Sequence, residues 1–164
     1  MSETPYFVKL EEAIAISCKT TIKTEIETVV LDESHGRILA KDLPSLVDDP
    51  AFDNSAMDGF AMRYVDTKNP PQTLDIIATI QAAGQEDNVI VGPKQAVRIM
   101  TGAPIPEGAD SILQVELTTT SENKVTLQQE GMKHFIRKQG ENLLKGSTSI
   151  TAGTILTPSR IGLC

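Results

Sequence analysis

The sequence contains no tryptophan, and aromatic residues make up only 4% of it. Any core must therefore be aliphatic, and 40% hydrophobic residues suffice to build one. Cysteine is scarce as well. Cys18 and Cys164 form no C-x-x-C pair, which argues against a thiolate zinc site and a disulfide framework and fits a reducing compartment. Positive charge is in deficit: 15 Lys and Arg against 22 Asp and Glu give a net charge of -7. That balance argues against a phosphate-neutralising face for nucleic acid. No run approaches about 18 consecutive apolar residues, so no membrane span is expected. The N-terminus lacks the basic start and apolar run of a signal peptide. The expectation is a soluble, cytoplasmic protein that uses neither nucleic acid nor membrane as a partner.

What is present is mostly β signal. With 164 residues there is room for one ordinary domain or two small ones. One helix is predicted near the N-terminus, where Phe7, Leu10, Ile14 and Cys18 recur at helical spacing and Thr4 with Pro5 can cap the start. Beyond it, "TEIETVVL" reads as a strand, "LDESHG" as one helical turn ended by Gly36, and "RILAKDL" as a short strand. "TLDIIATIQA", "QAVRIMT" and "KHFIRKQG" read as strands. "ADSILQVELTTT" with "NKVTLQQE" reads as a hairpin turning at residues 121–123. "NLLKGSTSITAGTIL" gives two short strands broken by Gly146 and Gly153. Near the end, Thr157 and Pro158 announce a helix of about one turn.

Several apparent motifs fail on their chemistry. "GENLLKGS" places Lys145 before Gly146, whereas a phosphate-binding loop needs the glycine first. "NSAMDG" has Ala56 where a calcium loop needs an oxygen ligand, and no closing glutamate is present. His35 and His134 lie far apart without evident partners and read as surface or structural histidines.

Two stretches remain. "AFDNSAMDGFAMR", residues 51–63, sets carboxylates among small apolar residues, neither polar throughout like a loop nor alternating like a strand. Asp53 and Asn54 suit Asx-type turns, and Gly59 permits a positive φ. Asp58 is either a turn residue bonded to its own backbone or a carboxylate offered to a metal or a proton transfer. The second stretch, "RIMTGAPIPEGAD", ends a strand at Thr101 and Gly102, and Pro104 and Pro106 stiffen the loop beyond. The Thr101 hydroxyl either closes a turn or contacts a ligand from a rigid loop.

Together with "GENLLKG", these stretches closely resemble the N-terminal region of the MoeA family of molybdopterin molybdenumtransferases, which includes the gephyrin E domain. The resemblance covers nearly the whole chain. It implies a mainly β fold with one N-terminal α-helix (α+β) and bifurcated, coiled β-sheets. It also implies a discontinuous lever and dimerisation domain over residues 1–48 and 140–164, with a small β domain inserted at 49–139. The family inserts molybdate into adenylylated molybdopterin, releases AMP and uses a divalent cation, usually Mg2+. Its members are cytoplasmic homodimers with the site in a cleft between subunits, and contact with the molybdopterin adenylyltransferase is a further implied option. Carried over residue by residue, Asp58 and Thr101 are the catalytic candidates, with Asp58 also the metal or molybdate candidate. Asn54, Ser55, Gly102, Arg137 and Asn142 are the cofactor-binding candidates. Two positions depart from the pattern: Asn142 stands where aspartate is common, and Phe60 where tyrosine is frequent. The family's molybdopterin-binding α/β domain and C-terminal β domain are expected outside this chain. The implied enzyme is thus a longer protein, and this chain alone is expected to be inactive. A non-catalytic dimerisation or scaffold fragment is the alternative.

Overall fold

The computed structural model describes residues 7–19, 24–82 and 89–164. The chain divides into two compact units, Met1–Ala40 with Gly153–Cys164, and Lys41–Ala152.

In the first unit, α1 spans Leu10–Lys19, with Glu11 and Glu12 in its first turn and Lys19 in its last, each sign matched to the helix dipole. None of its residues is buried, and Leu10 is 72% exposed. The expected cap at Thr4 and Pro5 lies outside the described residues. Residues 24–31 do not form the expected strand. Their β-branched side chains suit a pleated surface only when a neighbouring strand supplies it. Here residues 24–30 lie outside any ladder and are largely exposed, and Leu31–Glu33 form a 3-10 turn. That turn closes as expected. The Ser34 hydroxyl donates to the Leu31 carbonyl at 2.6 Å, and Gly36 takes a left-handed φ of +79° that other residues resist. Among the described residues of this unit, the strand expected around Ile38 is represented by the bridge Ile38 to Ile155, with backbone hydrogen bonds such as Leu156 to Arg37 beside it. The terminal turn, α2, spans Pro158–Ile161. Thr157 occupies its N-cap position, but its hydroxyl pairs with Ser159 rather than capping the backbone.

In the second unit, β1 (Leu43–Pro44) pairs with β10 (Thr148–Ile150), and β2 (Asn54–Ser55) pairs with β9 (Ile136–Arg137). The remaining strands are β3 (Gly59–Met62), β4 (Gln72–Ile80), β5 (Gln95–Ile99), β6 (Ser111–Gln114), β7 (Thr118–Ser121) and β8 (Lys124–Leu127). They form one curled sheet in the order β6-β3-β5-β4-β8-β7. Only β4 and β5 run parallel.

Both faces of the sheet's centre are covered. Phe60, Met62, Leu74, Leu113 and Leu127 pack on one side, and Ala61, Val97, Ile99, Ala103 and Ile112 on the other. This is why β3 is apolar at every position instead of alternating. Each large side chain fully buried here contributes about 1.5–3 kcal/mol. Gly59 is required by its neighbour: a Cβ there would meet the Leu113 carbonyl oxygen at 2.1 Å, so only glycine lets β6 lie against β3 in this register.

Two expected strands are broken. The segment 109–120 is interrupted by a 3-10 turn at Val115–Leu117, locked by the Thr118 hydroxyl donating to the Val115 carbonyl at 2.8 Å. Its two halves, β6 and β7, then lie at opposite edges of the sheet. The expected strand at 133–140 begins instead with a 3-10 turn, Lys133–Phe135, and leaves only the two residues of β9. The hairpin turn falls as expected, with Glu122 in a left-handed conformation between β7 and β8.

Candidate functional site

The register of β3 and β5 creates the site. Gly59 opposes Ile99, so the residues just beyond, Asp58 before β3 and Thr101 after β5, meet at one end of the sheet. The Thr101 amide donates to Asp58 Oδ1 at 2.7 Å and the Thr101 hydroxyl to the same oxygen at 2.8 Å. Asp58 Oδ2 takes no hydrogen bond among the described residues. The carboxyl titrates below the ordinary aspartate range, because of the Thr101 amide first, the Thr101 hydroxyl next, and the nearby positive charge of Arg98. Asp58 is therefore not a turn residue bonded to its own backbone. It is an exposed, ionised carboxylate with one oxygen held from a strand more than forty residues away and the other open.

The loop after Thr101 is tied to β2. Gly102, with φ +81°, donates its amide to the Ser55 carbonyl at 2.8 Å, and Ser55 donates its own amide to Ala103 at 3.0 Å. Asn54 bridges to Pro104 on one side and opposes Arg137 of β9 on the other. Ser55 is buried, and its hydroxyl donates to the Met57 carbonyl at 2.6 Å. Asn54, Ser55, Thr101, Gly102 and Arg137 thus sit on three laterally adjacent segments.

A second layer holds those segments. Asp53 does not form the Asx turn expected of it. Its carboxylate accepts from Lys138 Nζ at 2.6 Å and from the Gln139 amide at 2.8 Å, and these two bonds lower its pKa in that order. Asp48 accepts from the Lys145 amide at 2.7 Å and from Gln139 Nε2 at 2.8 Å, with the same downward effect. Asp49 accepts from Asn142 Nδ2 at 2.8 Å, and Asn142 Oδ1 accepts from Arg137 Nη2 at 3.1 Å. Three aspartates of one short segment therefore clamp the loop 137–145. The sequence signal for this was the density of carboxylates at 48–53; their partners were invisible because they lie some ninety residues away.

Among the described residues no cluster of three His, Cys, Asp or Glu side chains could hold a metal unaided. A concavity of about 230 Å³ adjoins Asp53, but its lining includes neither Asp58 nor Thr101. Its two lysines, Lys133 and Lys138, are already paired with Asp110 and Asp53.

This architecture is a mainly β scaffold whose strand ends converge polar groups on one carboxylate, with no nucleotide-binding α/β unit among the described residues. The family model described as "MoeA N-terminal region (domain I and II)" matches residues 8–164, and the chain belongs to that family. It is 39% identical over 160 residues to the molybdopterin molybdenumtransferase of Bacillus subtilis (strain 168), covering 92% of this chain and 37% of the relative. It is 40% identical over 142 residues to molybdopterin molybdenumtransferase 2 of Mycobacterium tuberculosis (strain ATCC 25618 / H37Rv), covering 83% and 35%. A crystal structure of the molybdopterin biosynthesis moeA protein from Pyrococcus horikoshii OT3 superposes with a TM-score of 0.78 at 32% identity, covering 84% of this chain and 37% of that one. The mainly β fold with one main helix and a curled sheet agrees with what the resemblance implied. The chain spans little more than a third of the length of these relatives. No helix among the described residues is long and apolar enough to cross a membrane.

Proposed function

We propose that this chain serves molybdenum cofactor biosynthesis as the N-terminal region of a molybdopterin molybdenumtransferase. The full protein would insert molybdate into adenylylated molybdopterin and release AMP in the cytoplasm. The observation that carries this reading is the Asp58 and Thr101 pair, built by strand register in a chain of this family.

Asp58 supplies a fixed negative charge with one free oxygen. Mg2+ characteristically takes one or two protein carboxylates and fills its remaining positions with waters and substrate phosphates. A single ionised carboxylate with an open oxygen fits that mode, so Asp58 is the residue that would hold the cation. When bound, the cation would stabilise charge on the leaving phosphate. Without any role for the cation, Asp58 can orient a water by accepting its proton in a hydrogen bond. Thr101 lowers the Asp58 pKa below the ordinary aspartate value. Its hydroxyl has one proton and gives it to Asp58, so donating to an oxyanion requires that hydroxyl to turn away.

The donors at Thr101, Gly102 and Ser55 are committed inside the chain, so these three residues offer no free amide cluster for a phosphate. The 164-residue chain by itself is accordingly read as inactive. We read assembly as a homodimer through α1, supported by the absence of any buried residue on that helix. Sedimentation tests this: a clean monomer at high micromolar concentration contradicts self-sufficient dimerisation.

The test of the site is Asp58→Asn in a protein of the relatives' length that carries this region. Asparagine keeps an oxygen for both Thr101 donors but removes the charge. The expected result is a near-unchanged unfolding midpoint and loss of most molybdate-dependent AMP release, with the 164-residue chain as the inactive control. Full activity in the variant contradicts the assignment of Asp58.

A further inference from the structure

All the described arginines but one have a partner. Arg37 pairs with Glu27, Arg63 pairs with Asp66, Arg137 donates to Asn142, and Arg160 donates to the Ile155 carbonyl. Arg98 is exposed and forms no hydrogen bond and no ion pair among the described residues. The sheet explains why. Register sets Phe60 of β3 on one side of Arg98 and Thr79 of β4 on the other, and neither carries a charge.

The positive charge of Arg98 nevertheless reaches Asp58. Asp58 lies two residues before Phe60, so alternation returns it to the face that Arg98 occupies. It keeps to the ladder beyond β3, since its carbonyl accepts from the Val115 amide at 3.1 Å. Residues placed diagonally across an antiparallel pair lie about 7–8 Å apart, within reach of a long side chain. Asp58 is instead held through Oδ1 by the Thr101 amide and hydroxyl. Opposite charges thus lie close together without neutralising each other by contact.

Such a pair treats ligands of the two signs differently. A divalent cation attracted by the open oxygen of Asp58 is repelled by Arg98. An oxyanion attracted by the paired N–H donors of a guanidinium is repelled by Asp58. Each ligand alone meets one unfavourable charge, and each relieves the charge that the other meets. Linkage makes that effect reciprocal.

We propose that Arg98 couples the two ligands of the site: it penalises a divalent cation bound alone at Asp58 and lifts the penalty when its guanidinium holds an oxyanion, so that cation and oxyanion bind together. This rests on the proposed reading that Asp58 holds the cation, and it gives Arg98 a role of its own.

The experiment is a Mg2+ titration of the 164-residue chain, without and with excess inorganic molybdate, followed by NMR at the Asp58 side-chain carbon and the Arg98 guanidinium. In the wild-type chain, molybdate should lower the Mg2+ midpoint by about 5-fold or more, the lower end of typical couplings, and Mg2+ should lower the molybdate midpoint by the same factor. Arg98→Gln keeps much of the aliphatic stem and removes the charge. Mg2+ alone should then bind about 2- to 3-fold tighter at low ionic strength, the size expected for charges several ångströms apart in water. Molybdate should no longer change that midpoint. Arg98→Lys keeps the charge and should keep the wild-type midpoint for Mg2+ alone; tighter binding there would overturn the charge penalty. A merely structural role for Arg98 would lower the unfolding midpoint of the variants and leave the coupling intact. Coupling that survives in Arg98→Gln overturns the assignment to Arg98. Mg2+ binding that molybdate leaves unchanged in the wild-type chain overturns the coupling and spares the cation reading of Asp58. No response of the Asp58 carbon to Mg2+, with or without molybdate, overturns that reading and this proposal together.

Discussion

The curled sheet and the aspartate-rich segment beside it are held together by different forces. In the sheet, Phe60, Ala61, Met62, Val97, Ile99 and Leu113 are fully removed from water, and cohesion scales with buried apolar area. In the clamp, Asp48, Asp49 and Asp53 hold the loop 137–145 through side-chain hydrogen bonds at the surface. The first kind of cohesion is indifferent to protonation; the second depends in part on the ionised carboxylates of Asp48 and Asp53, beside backbone bonds such as the Asn142 amide to the Asp49 carbonyl. Strand register brings Asp58 and Thr101 together, and the clamp brings Arg137 and Asn142 together. Sheet and clamp can therefore be addressed by different perturbations, the first by truncating buried side chains and the second by acid.

The largest effect should come from the sheet. Phe60→Ala removes a fully buried ring from the cluster that also holds Met62, Leu74, Leu113 and Leu127. The expected loss is about 3–5 kcal/mol, the usual range for truncating a buried phenylalanine. It would be read as a lowered denaturant midpoint at unchanged slope. Below that midpoint the Asp53 and Gln139 contact should persist. A loss under about 1 kcal/mol would mean the core there collapses freely, which close packing argues against.

An intermediate effect should come from acid. Asp48, Asp53 and Asp58 all have folded-state pKa values lowered from the ordinary value, each by hydrogen bonds received. A depressed carboxyl contributes stability that is fully present above its unfolded pKa, about 3.9, and that is lost as pH falls through the folded value. The contribution should therefore be constant from neutral pH down to about the unfolded value, and the clamp should open only as pH falls further, through the lowered folded-state values. The amide signals of Gln139, Lys145 and Thr101 report this directly, since each donates to one of the three carboxylates. They should move together in acid while the amides of β3 and β5 stay put. Simultaneous loss of both sets would show that clamp and sheet are one cooperative unit.

Much of this organisation is legible in the sequence, and the limits have physical causes. β4, β5 and the turn at Glu122 read directly, because period and turn chemistry are local properties. The strand expected at 24–31 failed because β-branched residues report fitness for a sheet, not the presence of one. The continuous strand expected at 109–120 failed because the break at Val115–Leu117 is closed by the Thr118 hydroxyl, and a threonine in a β-rich run looks like strand. Asp58 and Thr101 could be singled out individually by residue type and loop context. That the two bond each other depends on Gly59 facing Ile99, a register no local pattern reveals. Asp49 escapes a sequence reading for the same reason, since its partner is Asn142.

The smallest effect is the most discriminating. Two donors share Asp58 Oδ1: the Thr101 amide, which is the larger cause of the lowered pKa, and the Thr101 hydroxyl, which is the smaller. Thr101→Val removes only the hydroxyl, keeps a β-branched side chain of the same shape, and leaves the backbone untouched. The residue is exposed, so the fold should be unaffected. The Asp58 carboxyl should then rise part of the way toward the ordinary aspartate value and remain below it, because the amide bond and the Arg98 charge persist. Titration of the Asp58 side-chain carbon by NMR measures this. A complete return to the ordinary value would mean that the amide bond depends on the hydroxyl, and that the pair is held by side chains like the rest of the clamp. No change at all would mean that strand register alone sets the charge state of Asp58, placing the site wholly on the side of the sheet.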